Sequence, residues 1–275
     1  MSLSYFDLHC DTLHERLLGH SGLHLDRDGK WTKRKQIYAV WSDFSKSPDE
    51  QYENFFKAAG LLPEGGMLAV EGGDLLGGDI NRLDAILREG IVYFTPVWRD
   101  ENEIGGAWNT DVGLTDFGRE VVKALAAHGV AVDLSHASDR LFYDTIGLTD
   151  NVIASHSCSR AVCSHGRNLT DGMFRALVGM NSRVGVSLYP FHLNGTDKAD
   201  VTDAVRHIDR YMSLGGQTTV CLGCDFDGIE VTPADITCPA ELYRLADALG
   251  REGYSDSLIE AIFYENANTF FENRG

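Results

Sequence analysis

Five short segments carry residue types able to hold divalent cations and activate water. They are Asp7-Leu8-His9-Cys10-Asp11, Glu71-Gly72-Gly73, Asp133-Leu134-Ser135-His136, Ser155-His156-Ser157 and Asp225-Phe226-Asp227-Gly228. His9 and Asp11 stand two apart, so on an extended chain both side chains leave the same face and can reach one ion. Glu71 carries two oxygens, enough to bridge two cations, and His136 and His156 add imidazoles of the kind that binds zinc. With a bridging water, this set gives each of two zinc ions three protein ligands and leaves one position open for chemistry.

Each segment ends a short apolar or β-branched run. Eight such runs recur, over 5–8, 36–41, 66–70, 91–97, 130–134, 151–154, 183–188 and 218–223. Amphipathic stretches lie between them, among them 81–88 and 115–128, the latter with Thr115 as N-cap and Gly129 as stop. This alternation predicts βα units and a parallel sheet, and eight of them predict an α/β fold of the (β/α)8 TIM-barrel type. In such a barrel the C-terminal strand ends converge on one rim, so residues remote in sequence meet around one pocket. Taken singly, His9 or His156 reads as a hydrogen-bonded structural residue. The whole set does not, because carboxylates and imidazoles concentrated and buried on one rim are costly without cations. His14, His20, His24, His128, His192 and His207 fall in predicted helices or loops and read as structural.

A chain of 275 residues with 43% hydrophobic content can bury one large core, and no proline- or serine-rich linker interrupts the rhythm. One domain over 1–275 is expected, with 19–35 as a polar excursion and helices over 239–253 and 256–272 closing the outer layer. The balance of 24 basic against 41 acidic residues gives a formal charge of -17, which disfavours nucleic-acid and anionic-membrane partners. No apolar run approaches the roughly 18 residues a membrane span needs. The start Met1-Ser2-Leu3-Ser4 lacks the features of a secretory signal, and a cytoplasmic protein is expected. Six cysteines without secreted context read as reduced thiols, with Cys221 and Cys224 as core residues of a strand.

These motifs resemble those of the membrane (renal) dipeptidases, metallopeptidases of the amidohydrolase superfamily, peptidase family M19. The resemblance runs from Phe6 to about Gly228 and rests on His9-Cys10-Asp11, Val70-Glu71-Gly72-Gly73, Asp133-Leu-Ser-His136, Ser155-His156-Ser157, Arg167-Asn168 and Gly223-Cys-Asp225-Phe-Asp227-Gly228. It implies that His9, Asp11 and Glu71 hold one zinc ion and Glu71, His136 and His156 a second. It also implies that Asp225 hydrogen-bonds a metal-bridged hydroxide and moves its proton to the leaving amine, with Asp227 supporting the loop. Arg167 would bind the substrate's terminal carboxylate through its planar fork, and Tyr189 would lie near the substrate. The expected activity is hydrolysis of a small dipeptide by a soluble microbial form, a homodimer by resemblance. Where the animal enzymes place a substrate-contacting histidine, this chain has Trp98, which would recognise substrate more by packing. The rival readings are hydrolysis of another small amide, such as an N-acyl amino acid or a lactam, and a catalytically silent ligand-binding barrel; intact ligands and Asp225 argue against silence.

Overall fold

A computed structural model of the chain describes residues 3–272. Eight strands fall on the eight predicted runs: β1 Tyr5–Asp7, β2 Arg34–Trp41, β3 Met67–Glu71, β4 Tyr93–Thr95, β5 Ala131–Asp133, β6 Val152–Ala154, β7 Arg183–Val186 and β8 Val220–Leu222. Every residue of β1, β4, β5, β6, β7 and β8 is buried. Strands covered on both faces read as continuous apolar runs, which is why they were visible in the sequence. Two runs overreach. Residues 96–97 and 187–188 leave the ladder, the first pair because Pro96 has no N–H to give it.

The helices are α1 Thr12–Leu17, α2 Pro48–Ala59, α3 Asn81–Arg88, α4 Asp116–Ala127, α5 Asp139–Ile146, α6 Asp171–Gly179, α7 Pro190–Leu193, α8 Val201–Ser213, α9 Tyr243–Arg251, α10 Asp256–Glu260 and α11 Asn266–Glu272. Side-chain hydroxyl oxygens start five of them: Thr115 accepts from the Gly118 N–H as expected, and Ser47, Ser138, Thr170 and Ser255 cap in the same way. Gly129, at φ 71°, ends α4 in the left-handed conformation. Among the described residues, no helix is long and apolar enough to cross a membrane.

Two expectations need correction. The polar segment 19–35 contains a short 3-10 turn, His24–Asp26, and its last residues, Arg34 and Lys35, already belong to β2. The continuous helix expected over 256–272 is broken by a π turn, Ala261–Glu265. A π turn inserts one residue into the helical repeat, and here it keeps Ile262, Phe263 and Tyr264 buried in succession against β1 and β8.

The described residues divide into two compact units, one of 3–12, 21–36 and 154–272 and the other of 13–20 and 37–153. In the first, parallel register pairs Tyr5 with Arg34, Asp7 with Leu222 and Gly185 with Cys221. In the second it pairs Ala39 with Ala69, Val70 with Phe94, Phe94 with Val132 and Asp133 with Ile153. Strands β2 and β6 each start in one unit and end in the other, and the hydrogen-bonded order closes as β1-β2-β3-β4-β5-β6-β7-β8. All six cysteines are buried and free, including Cys221 and Cys224.

In the first unit β7 and β8 come close enough that a Cβ on Gly185 or Gly223 would overlap the carbonyl oxygen of Ser155. Gly185→Ala should therefore lower the free energy of unfolding by about 1–3 kcal/mol through overpacking. A urea titration checks this, and an unchanged midpoint would mean that the strands part without cost.

Candidate active site

In the first unit, pairing between β1 and β8 continues past their formal ends. Leu8 donates to the Leu222 carbonyl (3.0 Å), Asp225 to that of His9 (3.2 Å) and Asp11 to that of Phe226 (3.0 Å). This zipper aligns three functional side chains. His9 Nε2 lies 3.5 Å from Asp11 Oδ1 and 3.8 Å from Asp225 Oδ1. The His156 ring faces that of His9, centroids 3.8 Å apart. All four residues are buried.

Ser155 organises the two imidazoles. Its hydroxyl is 2.7 Å from His156 Nδ1 and 3.4 Å from His9 Nδ1. A hydroxyl can donate to one ring and accept from the other, and engaging both Nδ1 atoms turns Nε2 into the natural ligand atom of each histidine.

The loop after β8 is built to hold its acids at close quarters. Asp225 and Asp227 take φ of 65° and 68°, left-handed values that aspartate tolerates better than most residues. A Cβ on Gly228 would collide with the carboxylates of Asp11 and Asp225, so glycine is required there by close approach. Asp227 turns into the loop: it accepts from Thr12 Oγ1 (2.6 Å) and the His24 N–H (2.6 Å), while its own N–H donates to His24 Nδ1 (3.0 Å). Burial holds His24 below the ordinary histidine pKa, which keeps that nitrogen an acceptor.

In the second unit Glu71 ends β3, and its Oε1 lies 2.9 Å from His136 Nε2. His136 also has a left-handed backbone, φ 69°, and its carbonyl accepts from the Trp108 N–H at 2.7 Å. Asp133, at the end of β5, accepts from Thr95 Oγ1 (2.8 Å) and the Ser135 N–H (3.0 Å). Trp98 is half-buried, stacked on Phe44 with centroids 5.4 Å apart and tilted against Trp41 at 4.9 Å; its ring is 6.5 Å from that of His136.

Arg167 is buried in the first unit. It donates through one terminal nitrogen to Ser157 Oγ (3.0 Å) and through the other to the His156 carbonyl (3.2 Å), which fixes the guanidinium beside a candidate ligand. Tyr189, half-buried before α7, donates to Glu230 Oε2 at 3.2 Å. Burial and the neighbouring Glu230 push its pKa up to about 12, so it stays a protonated donor.

The first unit thus gathers His9, Asp11, His156, Asp225 and Arg167, and the second pairs Glu71 with His136. Two residues were quoted within the motifs without receiving a role. Ser155 precedes His156 directly, and its contact to His9 depends on tertiary structure. Asp133 is a candidate ligand and shares a strand-end face with Ser135 by simple alternation. A separate cavity of about 440 Å³ against α9, lined by Leu3, Tyr243, Asp247 and Arg251, contains none of these groups.

Imidazoles beside carboxylates at the strand ends of a closed parallel barrel make a candidate metal centre. The family model for membrane dipeptidase (peptidase family M19) matches residues 64–273, and the chain belongs to that family. It is 31% identical over 210 residues to an uncharacterized protein in the pqqA 5' region of Klebsiella pneumoniae, a match covering 72% of this chain and 77% of that protein. The fold is that of the dipeptidase AC, a metallopeptidase of family M19: TM-score 0.91 at 22% identity, covering 100% of this chain and 99% of the other. A Rhodobacter sphaeroides metallopeptidase liganded with a phosphinate mimic of the dipeptide L-Ala-D-Ala has TM-score 0.89 at 22% identity, with 100% of both chains covered.

Removing the Asp227 carboxylate leaves the Thr12 hydroxyl and the His24 N–H without their acceptor. Asp227→Ala should cost about 1–3 kcal/mol and speed hydrogen exchange at the His24 amide. Native exchange at that amide would show that the loop does not depend on Asp227.

Proposed function

We propose that this chain is a zinc-dependent dipeptidase, one catalytic domain over 1–275, with two zinc ions. His9, Asp11 and Glu71 would hold one ion and Glu71, His136 and His156 the other. The observation that carries the reading is the donor set itself. Buried and half-buried histidines sit beside buried carboxylates, with the Nδ1 atoms of His9 and His156 both engaged by Ser155. Imidazole with carboxylate suits zinc better than calcium or magnesium, which favour all-oxygen sites. Bound zinc would polarise the scissile carbonyl and supply hydroxide at neutral pH, by lowering the pKa of a bridging water to about 7.

The chain's own residues do the rest. Arg167 presents parallel donors to the terminal carboxylate of a dipeptide and so disfavours longer peptides. Asp225, held next to His9 by the backbone zipper, accepts the proton of the attacking water and returns it to the leaving amine. Tyr189 offers a phenolic hydroxyl to the substrate, while Trp98 lends an apolar face where a hydrogen-bonding residue would make a polar contact. Dipeptide chemistry is supported by the family and by the dipeptide mimic bound to the Rhodobacter sphaeroides relative. Six free buried cysteines suit a reducing compartment, and the reading places the enzyme in the cytoplasm.

Elemental analysis of metal-loaded protein should approach two equivalents of zinc. Glu71→Gln should lower both zinc content and turnover; retention of both would remove Glu71 from the bridging role. Asp225→Asn and Arg167→Ala should fail differently. The first should depress kcat with zinc retained. The second should lower kcat/KM for free dipeptides by roughly 2–5 kcal/mol and leave C-terminally amidated ones nearly unaffected. Equal losses on both substrate types would reject the carboxylate role, and turnover of N-acyl amino acids or lactams in preference to dipeptides would reject the substrate class.

A further inference from the structure

His14 lies in α1, three residues beyond Asp11, and reads as structural from sequence. It is 2% exposed, and among the described residues neither Nδ1 nor Nε2 has a hydrogen-bond partner. Its ring lies flat on Trp41, with centroids 3.9 Å and planes 20° apart. Trp41 is the register partner of Glu71 across β2 and β3, and it meets Trp98, which stacks on exposed Phe44. Four rings therefore run from the surface inwards beside Glu71 and end in a polar one. Burial brings the imidazole pKa down to about 4, against the opposing pull of Asp43 and Glu71, so the ring is neutral at physiological pH.

An unpaired buried polar atom is destabilising, and a phenyl ring would stack on Trp41 without that penalty. A polar ring is favoured in this place when a bound molecule pairs with it. We infer that His14 is a specificity-determining residue that hydrogen-bonds the side chain of the substrate residue held beside Glu71, and that it selects a carboxamide. This rests on the dipeptidase reading. A neutral imidazole presents one donor and one acceptor, and a carboxamide answers both. A carboxylate side chain offers no donor and meets the like charge of Asp43, an ammonium offers no acceptor, and an aliphatic chain leaves both nitrogens unpaired. Trp41 supplies the apolar face on which a planar amide can lie.

The test compares near-isosteric substrates, Asn-Ala with Leu-Ala and Ala-Asn with Ala-Leu, on zinc-loaded wild type, His14→Phe and His14→Gln. Wild type should favour asparagine at one of the two positions. His14→Phe should reduce that kcat/KM ratio at least tenfold at unchanged zinc content, because a site built to pair a polar group strongly rejects its absence. His14→Gln, which keeps a donor and an acceptor, should retain most of the ratio. An unchanged ratio in His14→Phe overturns the inference. If that variant does not fold, ring 15N shifts of His14 in labelled wild type decide: they should move when a phosphinate analogue of the asparagine dipeptide binds, and the inference fails if they do not. A wild type that cleaves no dipeptide overturns the functional reading and the inference together, whereas normal cleavage with an unaltered ratio overturns the inference alone.

Discussion

Ionisable groups withdrawn from water call for a compensating neighbour, and this constraint shapes the strand ends that carry the candidate ligands. Burying a carboxylate costs several kcal/mol unless a donor or a cation faces it. Asp7 shows the protein-only solution. It accepts from the Cys224 N–H at 2.8 Å, and burial still pushes its pKa up. Asp133 is satisfied by Thr95 and Ser135. Asp11, Glu71 and Asp225 are handled otherwise, each aimed at an imidazole nitrogen, an arrangement that a divalent cation would turn from a liability into a binding site. The extended β1–β8 pairing and the bare Cα of Gly228 let Asp11 and Asp225 pack together.

The barrel was legible because its strands are buried on both sides. Val220, Cys221 and Leu222, or Val152, Ile153 and Ala154, have no solvent-facing partner to interrupt the apolar run. Helix starts were legible where a hydroxyl caps them, as at Thr115. The ligand candidates were legible because alternation fixes which residues of a strand end share a face, and His9 with Asp11 obeys it. The π turn at Ala261–Glu265 was hidden, since it answers to packing against β1 and β8 and has no local pattern of its own. Ser155 was hidden for a related reason: proximity to His9 joins positions 146 residues apart.

Trp98 shows how far a motif reading reaches. It stands three residues beyond the end of β4, and position alone did not reveal that the indole would be held against both Trp41 and Phe44. A ring held on two sides is a rigid wall, and rigid aromatic contacts discriminate by shape at small entropic cost. The same stacking leads from a surface residue to His14, so one aromatic column joins solvent to the interior within a single unit.

The left-handed backbone at His136 and Asp225 bears on how this rim can evolve. Asparagine, aspartate and histidine visit that region several-fold more often than other side chains, and β-branched residues hardly at all. Exchanging Asp225 for glutamate would conserve the charge and the donor oxygens yet ask a longer side chain to start from a conformation it disfavours. Drift at these two positions is thus filtered by geometry before chemistry is ever sampled. Diversification of such a scaffold is channelled into the neighbouring loops, where Trp98 and Phe44 sit on ordinary backbone.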